Sequence, residues 1–183
     1  KLEMNDAWSD LIADGFDVAL RGGDLLDSSL RARTLTQPHS VICASPAYLA
    51  KHGSPHVPEE LDTHNCILYS HHPVMHEWSF SHKGKDQNIR VSGNYQVNNA
   101  EALHEALLQG AGIGRLPTFI AGKDILDGKL CPVLTDYVMP AKPLYLLFPE
   151  KRYMPEKVRV FIDFLVEHLT DDSPHWDLWR DGN

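Results

Sequence analysis

The sequence is poor in cysteine, and its few cysteines form no recognisable cluster. The 183 residues include Cys43, Cys66 and Cys131, an odd number without a CxxC pair. This pattern argues against a disulfide framework and against a zinc site built on thiolates. Cys43 and Cys66 lie in apolar runs typical of strands, so we expect buried free thiols; a redox-sensing pair is the alternative.

Long apolar runs and an excess of positive charge are also lacking. No apolar run approaches the roughly 18 residues of a membrane span, and no signal-like segment opens the chain. We therefore expect a cytoplasmic protein that does not contact a membrane. Asp and Glu number 25 against 17 Lys and Arg, which gives a net charge of −8. Because phosphate contacts need a basic face, this chain by itself is not expected to bind nucleic acid.

Motifs for catalysis and cofactor binding are absent as well. The sequence contains no GxSxG nucleophile elbow, no HExxH motif and no phosphate-binding loop. The glycines within residues 110–114 follow a predicted helix, whereas a dinucleotide fingerprint precedes one. His71, His72 and His76 lie in a predicted polar loop, and no nearby Cys or Asp completes a metal site. We expect no enzyme activity, no cofactor and no metal.

What is present is an alternation of short apolar strands and amphipathic helices, which predicts an α/β fold. In the most regular stretch, residues 98–117, two asparagines precede a run of helix formers that ends at Gly110, and a short buried strand follows. Near the start, a strand end at 1–4, a helix and a strand at 16–20 predict a βαβ unit with parallel strands. Residues 139–143 are the most linker-like segment.

Two polar features of these elements suggest a ligand site. Asn98 and Asn99 lie at a predicted helix N-terminus, where backbone N–H groups and the helix dipole favour an anion. The polar loop of residues 70–76 follows a buried strand, a position typical of the mouth of a cleft. A purely structural interpretation, in which both asparagines only cap the helix, remains open.

Seven short motifs, taken together over residues 2–169, resemble one protein family. The motifs are Asp10-Leu11 with residues 15–22, residues 44–49 with His52-Gly53, Trp78-Ser79-Phe80, residues 98–103, residues 110–113 with Leu116-Pro117, Gly128-Lys129-Leu130, and residues 158–165. Their order and spacing are similar to those of the C-terminal inducer-binding domain of LysR-type transcriptional regulators.

The resemblance implies a two-lobed fold of the type 2 periplasmic-binding-protein kind, with two strands crossing between the α/β lobes near residues 44–46 and 141–144. Lobe one would comprise 1–45 and 143–170, lobe two 46–142, and 171–183 would form a tail. Two parts of the family pattern are missing: the winged helix-turn-helix, and the first strand and helix of lobe one. Trp176 and Trp179 of the tail are expected either to dock on a neighbour or to be disordered.

The resemblance also implies a function. The chain would be the effector-sensing domain of a bacterial regulator, binding a small, anionic metabolite in the cleft between its lobes. A periplasmic-type solute-binding protein of the same fold is the alternative. The full-length protein would bind DNA only through the missing helix-turn-helix, as a homodimer or homotetramer. The expected effector-binding residues are Asn5, Asp6 and Ala7 from lobe one, and Ser70, His71, Asn98 and Asn99 from lobe two.

Overall fold

The computed structural model describes residues 1–4, 13–23, 30–70, 76–149, 154–169 and 175–180. Its strands are β1 Ala19–Gly22, β2 Leu30–Thr36, β3 Ser40–Ala44, β4 Leu68–Tyr69, β5 Glu77–His82, β6 Lys85–Arg90, β7 Gln96–Val97, β8 Gly114–Pro117, β9 Cys131–Val133 and β10 Leu144–Pro149. Its helices are α1 Pro46–His52, α2 Ala100–Leu108, α3 Thr118–Leu126 and α4 Glu156–Leu169, with 3-10 helices at Pro58–Thr63 and His175–Arg180. No helix among these residues is long and apolar enough to cross a bilayer.

The chain divides into two compact units. Unit 1 comprises Lys1–Ala7, His39–Pro140 and Trp176–Asn183, and unit 2 comprises Trp8–Pro38 and Ala141–His175. The lobe boundaries expected from the sequence, after residues 45 and 142, stay a prediction. β3 is apolar on both faces and pairs with β8 and β9, so it is part of unit 1.

Unit 2 is built on an antiparallel sheet with the strand order β1-β10-β2. β10, a continuous apolar run, lies in the centre, and Val158 and Ile162 of α4 pack with Leu35 and Leu146 on one of its faces. The prediction of parallel strands is wrong for the described part of this unit. Residues 1–4, where the sequence predicted the end of a strand, are exposed and form no strand.

Unit 1 contains the strands that matter for the site. β3 pairs in antiparallel fashion with β8 and β9, whereas β4 pairs in parallel with β7. A parallel bridge between Cys66 and Ile113 connects β4 to β8. β7, β4 and β8 therefore run in the same direction, and their carboxyl ends lie at one edge, which we call the carboxyl edge of unit 1.

Local sequence explains where the helices of unit 1 begin. The Ser45 hydroxyl accepts a hydrogen bond from the Tyr48 N–H at 3.3 Å, and Pro46 occupies the first turn of α1. The Asn99 side chain accepts a hydrogen bond from the Ala102 N–H at 2.9 Å and so caps α2. Gly110 follows α2 with a φ of 74°, which a residue with a β-carbon rarely adopts. The predicted start of α2 is confirmed.

The two faces of the unit 1 sheet are covered by separate apolar clusters. The α2-side cluster includes Val41, Leu103, Leu107 and Leu116, and the cluster on the opposite face includes Ile42 and Trp78. All three cysteines are free; Cys43 and Cys66 are buried and Cys131 is partly exposed. The prediction of free thiols is thus confirmed, and two of the three are buried.

The C-terminal 3-10 helix docks on unit 1 of the same chain. The Trp176 ring meets Phe119 edge to face at 6.4 Å, and Trp179 packs against the α2-side cluster. His39 Nδ1 and Asp177 Oδ2 are 3.1 Å apart. These contacts account for the two tryptophans, for which the sequence predicted only a neighbouring molecule or disorder.

Candidate functional site

The carboxyl edge of unit 1 brings three of the predicted site residues together. Tyr69 pairs with Val97, and the Ser70 N–H donates to the Val97 carbonyl at 2.7 Å. Ser70 and Asn98 therefore follow the ends of two adjacent parallel strands, and Asn99 starts α2 directly afterwards. In sheets of this kind, ligands bind beyond the carboxyl ends of the strands.

The two asparagines differ in what they do. Asn99 is half-buried and its side-chain oxygen already serves as the cap of α2, whereas Asn98 is exposed and is not the cap residue. Ser70 is half-buried. Of the three, Asn98 is consequently the side chain whose amide is most available to a ligand, and a capping role accounts for Asn99 but not for Asn98.

The remaining predicted site residues are Asn5, Asp6, Ala7 and His71, which lie outside the described residues. His72 of the histidine-rich loop is also outside them. Within the described ranges, no group of three His, Cys, Asp or Glu side chains is arranged to hold a metal ion.

Arg115 is a candidate that the sequence interpretation missed. It lies in β8 opposite Ile42 and is partly buried. Its side chain forms neither a hydrogen bond nor an ion pair with the other described residues, and burial lowers the pKa of its guanidinium below the ordinary value. The signal in the sequence was a single cation in the otherwise apolar stretch Ile113-Gly114-Arg115-Leu116, since buried strands are normally apolar throughout.

Two other polar clusters of unit 1 have structural roles. The Tyr48 hydroxyl accepts from the Asn65 N–H at 3.0 Å and lies 3.2 Å from His64 Nδ1, and burial lowers the pKa of His64. Between α2 and α3, Asp124 contacts both His104 and Lys129. The Lys129 hydrogen bond is the main cause that lowers the pKa of Asp124. Both clusters tie neighbouring segments together, and neither adjoins the strand ends that carry Ser70 and Asn98.

Comparison with known proteins gives a consistent result. Residues 1–170 match the family described as the LysR substrate binding domain. The chain is 34% identical over 169 residues to the probable HTH-type transcriptional regulator LtrA of Klebsiella pneumoniae, covering 91% of this chain and 55% of that protein. It is 35% identical over 162 residues to the HTH-type transcriptional activator AaeR of Escherichia coli K12, covering 88% and 52%. The chain thus spans about half the length of the curated relatives it matches.

The solved structures that are similar to this chain belong to the same family of regulators. The regulatory domain of CrgA, a LysR-type regulator from Neisseria meningitidis, superposes with a TM-score of 0.79 at 35% identity, covering 86% of this chain and 78% of that one. The full-length virulence activator AphB of Vibrio cholerae gives 0.77 at 30% identity, covering 92% and 57%. The predicted α/β fold, two-lobed and of the type 2 periplasmic-binding-protein kind, is confirmed by this likeness. The chain therefore belongs to the LysR substrate-binding domain family, the effector-sensing domains of LysR-type transcriptional regulators.

Proposed function

We propose that this domain binds a small, anionic metabolite at the carboxyl edge of unit 1 and so controls the DNA binding of a longer regulator. The observation that carries the proposal is the hydrogen bond from Ser70 to Val97, which holds Ser70, Asn98 and Asn99 at adjacent strand ends. Asn5, Asp6, Ala7 and His71 complete the proposed site.

The chemistry of these residues suits a polar ligand. The Asn98 amide and the Ser70 hydroxyl each both donate and accept hydrogen bonds. The N-terminus of α2, which starts at this edge, carries the positive end of the helix dipole and favours negative charge. A small molecule with an anionic head and hydrogen-bonding substituents would use all of these groups.

The remaining functions are proposed for the longer protein. Relatives named as HTH-type transcriptional regulators support a DNA-binding helix-turn-helix outside this chain, whose own net charge of −8 offers no basic face. A homodimer or homotetramer in the cytoplasm, without enzyme activity or membrane contact, is part of the same proposal. These relatives favour a regulator over a solute-binding protein.

The test begins with a thermal-shift screen of this chain against a metabolite library. A ligand present at 100 times its Kd should add about 2.7 kcal/mol to the free energy of unfolding. The metabolite with the largest shift is then titrated calorimetrically into Asn98→Ala, Ser70→Ala and Asn99→Ser. The first two substitutions remove a polar group, and the third keeps a capping oxygen.

We expect the free energy of unfolding of each variant to lie within about 0.5 kcal/mol of that of the parent, since none removes a cap or a core contact. Each should bind the metabolite several-fold more weakly. Asn88→Ala, an exposed asparagine on β6, is the matched control and should bind normally. Unchanged affinity in all three edge variants would move the site away from this edge.

A further inference from the structure

Arg115 lies on the same face of the unit 1 sheet as the proposed ligand groups. Its neighbours Gly114 and Leu116 face α2: a β-carbon built on Gly114 would lie 2.9 Å from a Leu103 methyl carbon, and Leu116 belongs to the α2-side cluster. Because side chains alternate along a strand, Arg115 projects to the opposite face.

The same alternation places Ser70 and Asn98 on that face. Tyr69 and Val97, the residues that precede them, both pack in the α2-side cluster. The residue that follows each of them therefore points the other way, as Arg115 does. Ser70 and Asn98, which follow β4 and β7, thus share one face with Arg115 of the neighbouring strand β8.

The register of the strands puts the guanidinium within reach of this edge. The single bridge between Cys66 and Ile113 aligns the two strands, so Arg115, two residues after Ile113, is level with Leu68 along the strand direction. At about 3.3 Å per residue, Ser70 lies roughly 7 Å further along this direction. An extended arginine side chain covers such a distance.

Arg115 has no partner of its own in the described part of the chain, although it is partly buried. Asp124 and Asp127 of unit 1 are paired with Lys129 and do not compensate the charge of Arg115. A cation that is partly withdrawn from water without a carboxylate partner is less favourable than a paired one, and a bound anion would compensate for it.

We propose that Arg115 is the residue that recognises the charged group of the effector, and that this group is an oxyanion of the carboxylate or phosphate type. The inference rests on the proposed function, because it assigns a ligand class to the same edge. The planar guanidinium forms two parallel hydrogen bonds with either oxyanion. Ser70 and Asn98 then contact the remainder of the effector, so that Arg115 determines which ligands enter and the other two determine how they are oriented.

The test uses probes that differ only in charge, with the whole chain and at constant ionic strength. Benzoate is compared with the neutral benzamide, succinate with the neutral succinamide, and inorganic phosphate with the neutral trimethyl phosphate, each by thermal shift and calorimetry. The variants are Arg115→Gln, which removes the charge, and Arg115→Lys, which keeps the charge but loses the paired hydrogen bonds. Lys51→Gln makes the same charge change at an exposed residue of α1, which follows the opposite end of β3.

We expect at least one oxyanion to raise the melting temperature while its neutral counterpart does not. Arg115→Gln should weaken that oxyanion ten-fold or more, Arg115→Lys less, and Lys51→Gln not at all. The carboxylate and phosphate arms separate the two oxyanion sources. The inference is overturned if no oxyanion stabilises the parent chain, or if the oxyanion binds Arg115→Gln with full affinity.

Ligand-free stability gives an independent readout. If the Arg115 guanidinium has no compensating partner until an external anion binds, Arg115→Met should melt at the same temperature as the parent or higher, because it removes an uncompensated cation. A lower melting temperature would assign the arginine a structural role and overturn the inference. Anionic ligands that depend on Asn98 but not on Arg115 would overturn the inference and leave the proposed function intact. Oxyanions that depend on Arg115 but not on Asn98 or Ser70 would instead contradict the proposed function.

Discussion

Replacing Gly122 with alanine tests how the C-terminal 3-10 helix docks. Gly122 lies inside α3, and a β-carbon built on it would lie 2.1 Å from the carbonyl oxygen of Trp176. That atom belongs to the backbone, so the 3-10 helix has to move away. In a helix without such a neighbour, the same change would be stabilising by about 1 kcal/mol, because alanine has the higher helix propensity.

The contacts that the displaced segment loses set the size of the effect. The edge-to-face contact between Trp176 and Phe119 contributes about 0.5–1.5 kcal/mol beyond its area. Half-burial of Trp179 against the α2-side cluster contributes about 1–2 kcal/mol more. Its indole N–H, which has no hydrogen-bond partner among the described residues, offsets part of this gain. The pair His39 and Asp177 is too exposed on the His39 side to add much.

After the gain in helix propensity, Gly122→Ala should destabilise the protein by about 1–2 kcal/mol, which is roughly 2–8 °C in melting temperature for a chain of this size. Thermal melting monitored by circular dichroism measures this change, and tryptophan fluorescence should shift to the red as the two indoles become exposed. The control is Lys123→Ala, at the exposed residue of α3 next to Gly122. Its free energy of unfolding should lie within about 0.5 kcal/mol of that of the parent.

The sign of the effect provides the decisive comparison. In the background of Trp176→Ala with Trp179→Ala, the segment no longer holds its position, so Gly122→Ala should be neutral or stabilising. If Gly122→Ala stabilised the parent by about 1 kcal/mol and left its fluorescence unchanged, the reasoning would be refuted, because the alanine β-carbon would then not contact the Trp176 carbonyl oxygen.

Three further predictions concern titration, reactivity and DNA binding. Burial lowers the pKa of His64, so as the pH falls the unfolded chain binds a proton before the folded chain does. The free energy of unfolding should therefore decrease as the pH drops below about 6.5, and His64→Gln should reduce this pH dependence. Burial raises the pKa of the Cys43 and Cys66 thiols to about 12, so Ellman's reagent at pH 8 should modify Cys131 first, and rapid modification of all three in the native state would contradict this. This chain alone should give no sequence-selective shift of duplex DNA in a gel at physiological salt, and a selective shift would contradict the assignment of DNA binding to another part of the regulator.

Several features could be predicted because they depend on neighbours in the sequence. The start of α1 follows from Ser45 and Pro46, and the start of α2 follows from Asn99, since a cap acts on N–H groups only two or three residues away. The strands β2 and β10 follow from their local apolar patterns. The predicted strand at residues 1–4 was wrong because a strand also requires a partner edge, which local pattern does not report.

The candidate site was only partly predictable, because the sequence shows which residues follow a strand but not which strands are neighbours. Ser70 and Asn98 each follow a strand, and the sequence indicates both positions, yet only the parallel pairing of β4 with β7 shows that they are adjacent. Arg115 was missed because its neighbours in sequence are apolar. Its significance depends on the face to which it projects and on the absence of a carboxylate nearby in the described residues.

The sequence by itself determined the family, the α/β class and the capped helices, since each is carried by short-range patterns of residue type. Tertiary structure alone decided that β3 belongs to unit 1, that the C-terminal tryptophans dock on α3, and that Ser70 and Asn98 follow adjacent strand ends. These features join residues up to 138 positions apart, as His39 and Asp177 are. Contacts at such separations are selected by the packing of the whole sheet and its apolar faces, which no local window of the sequence contains.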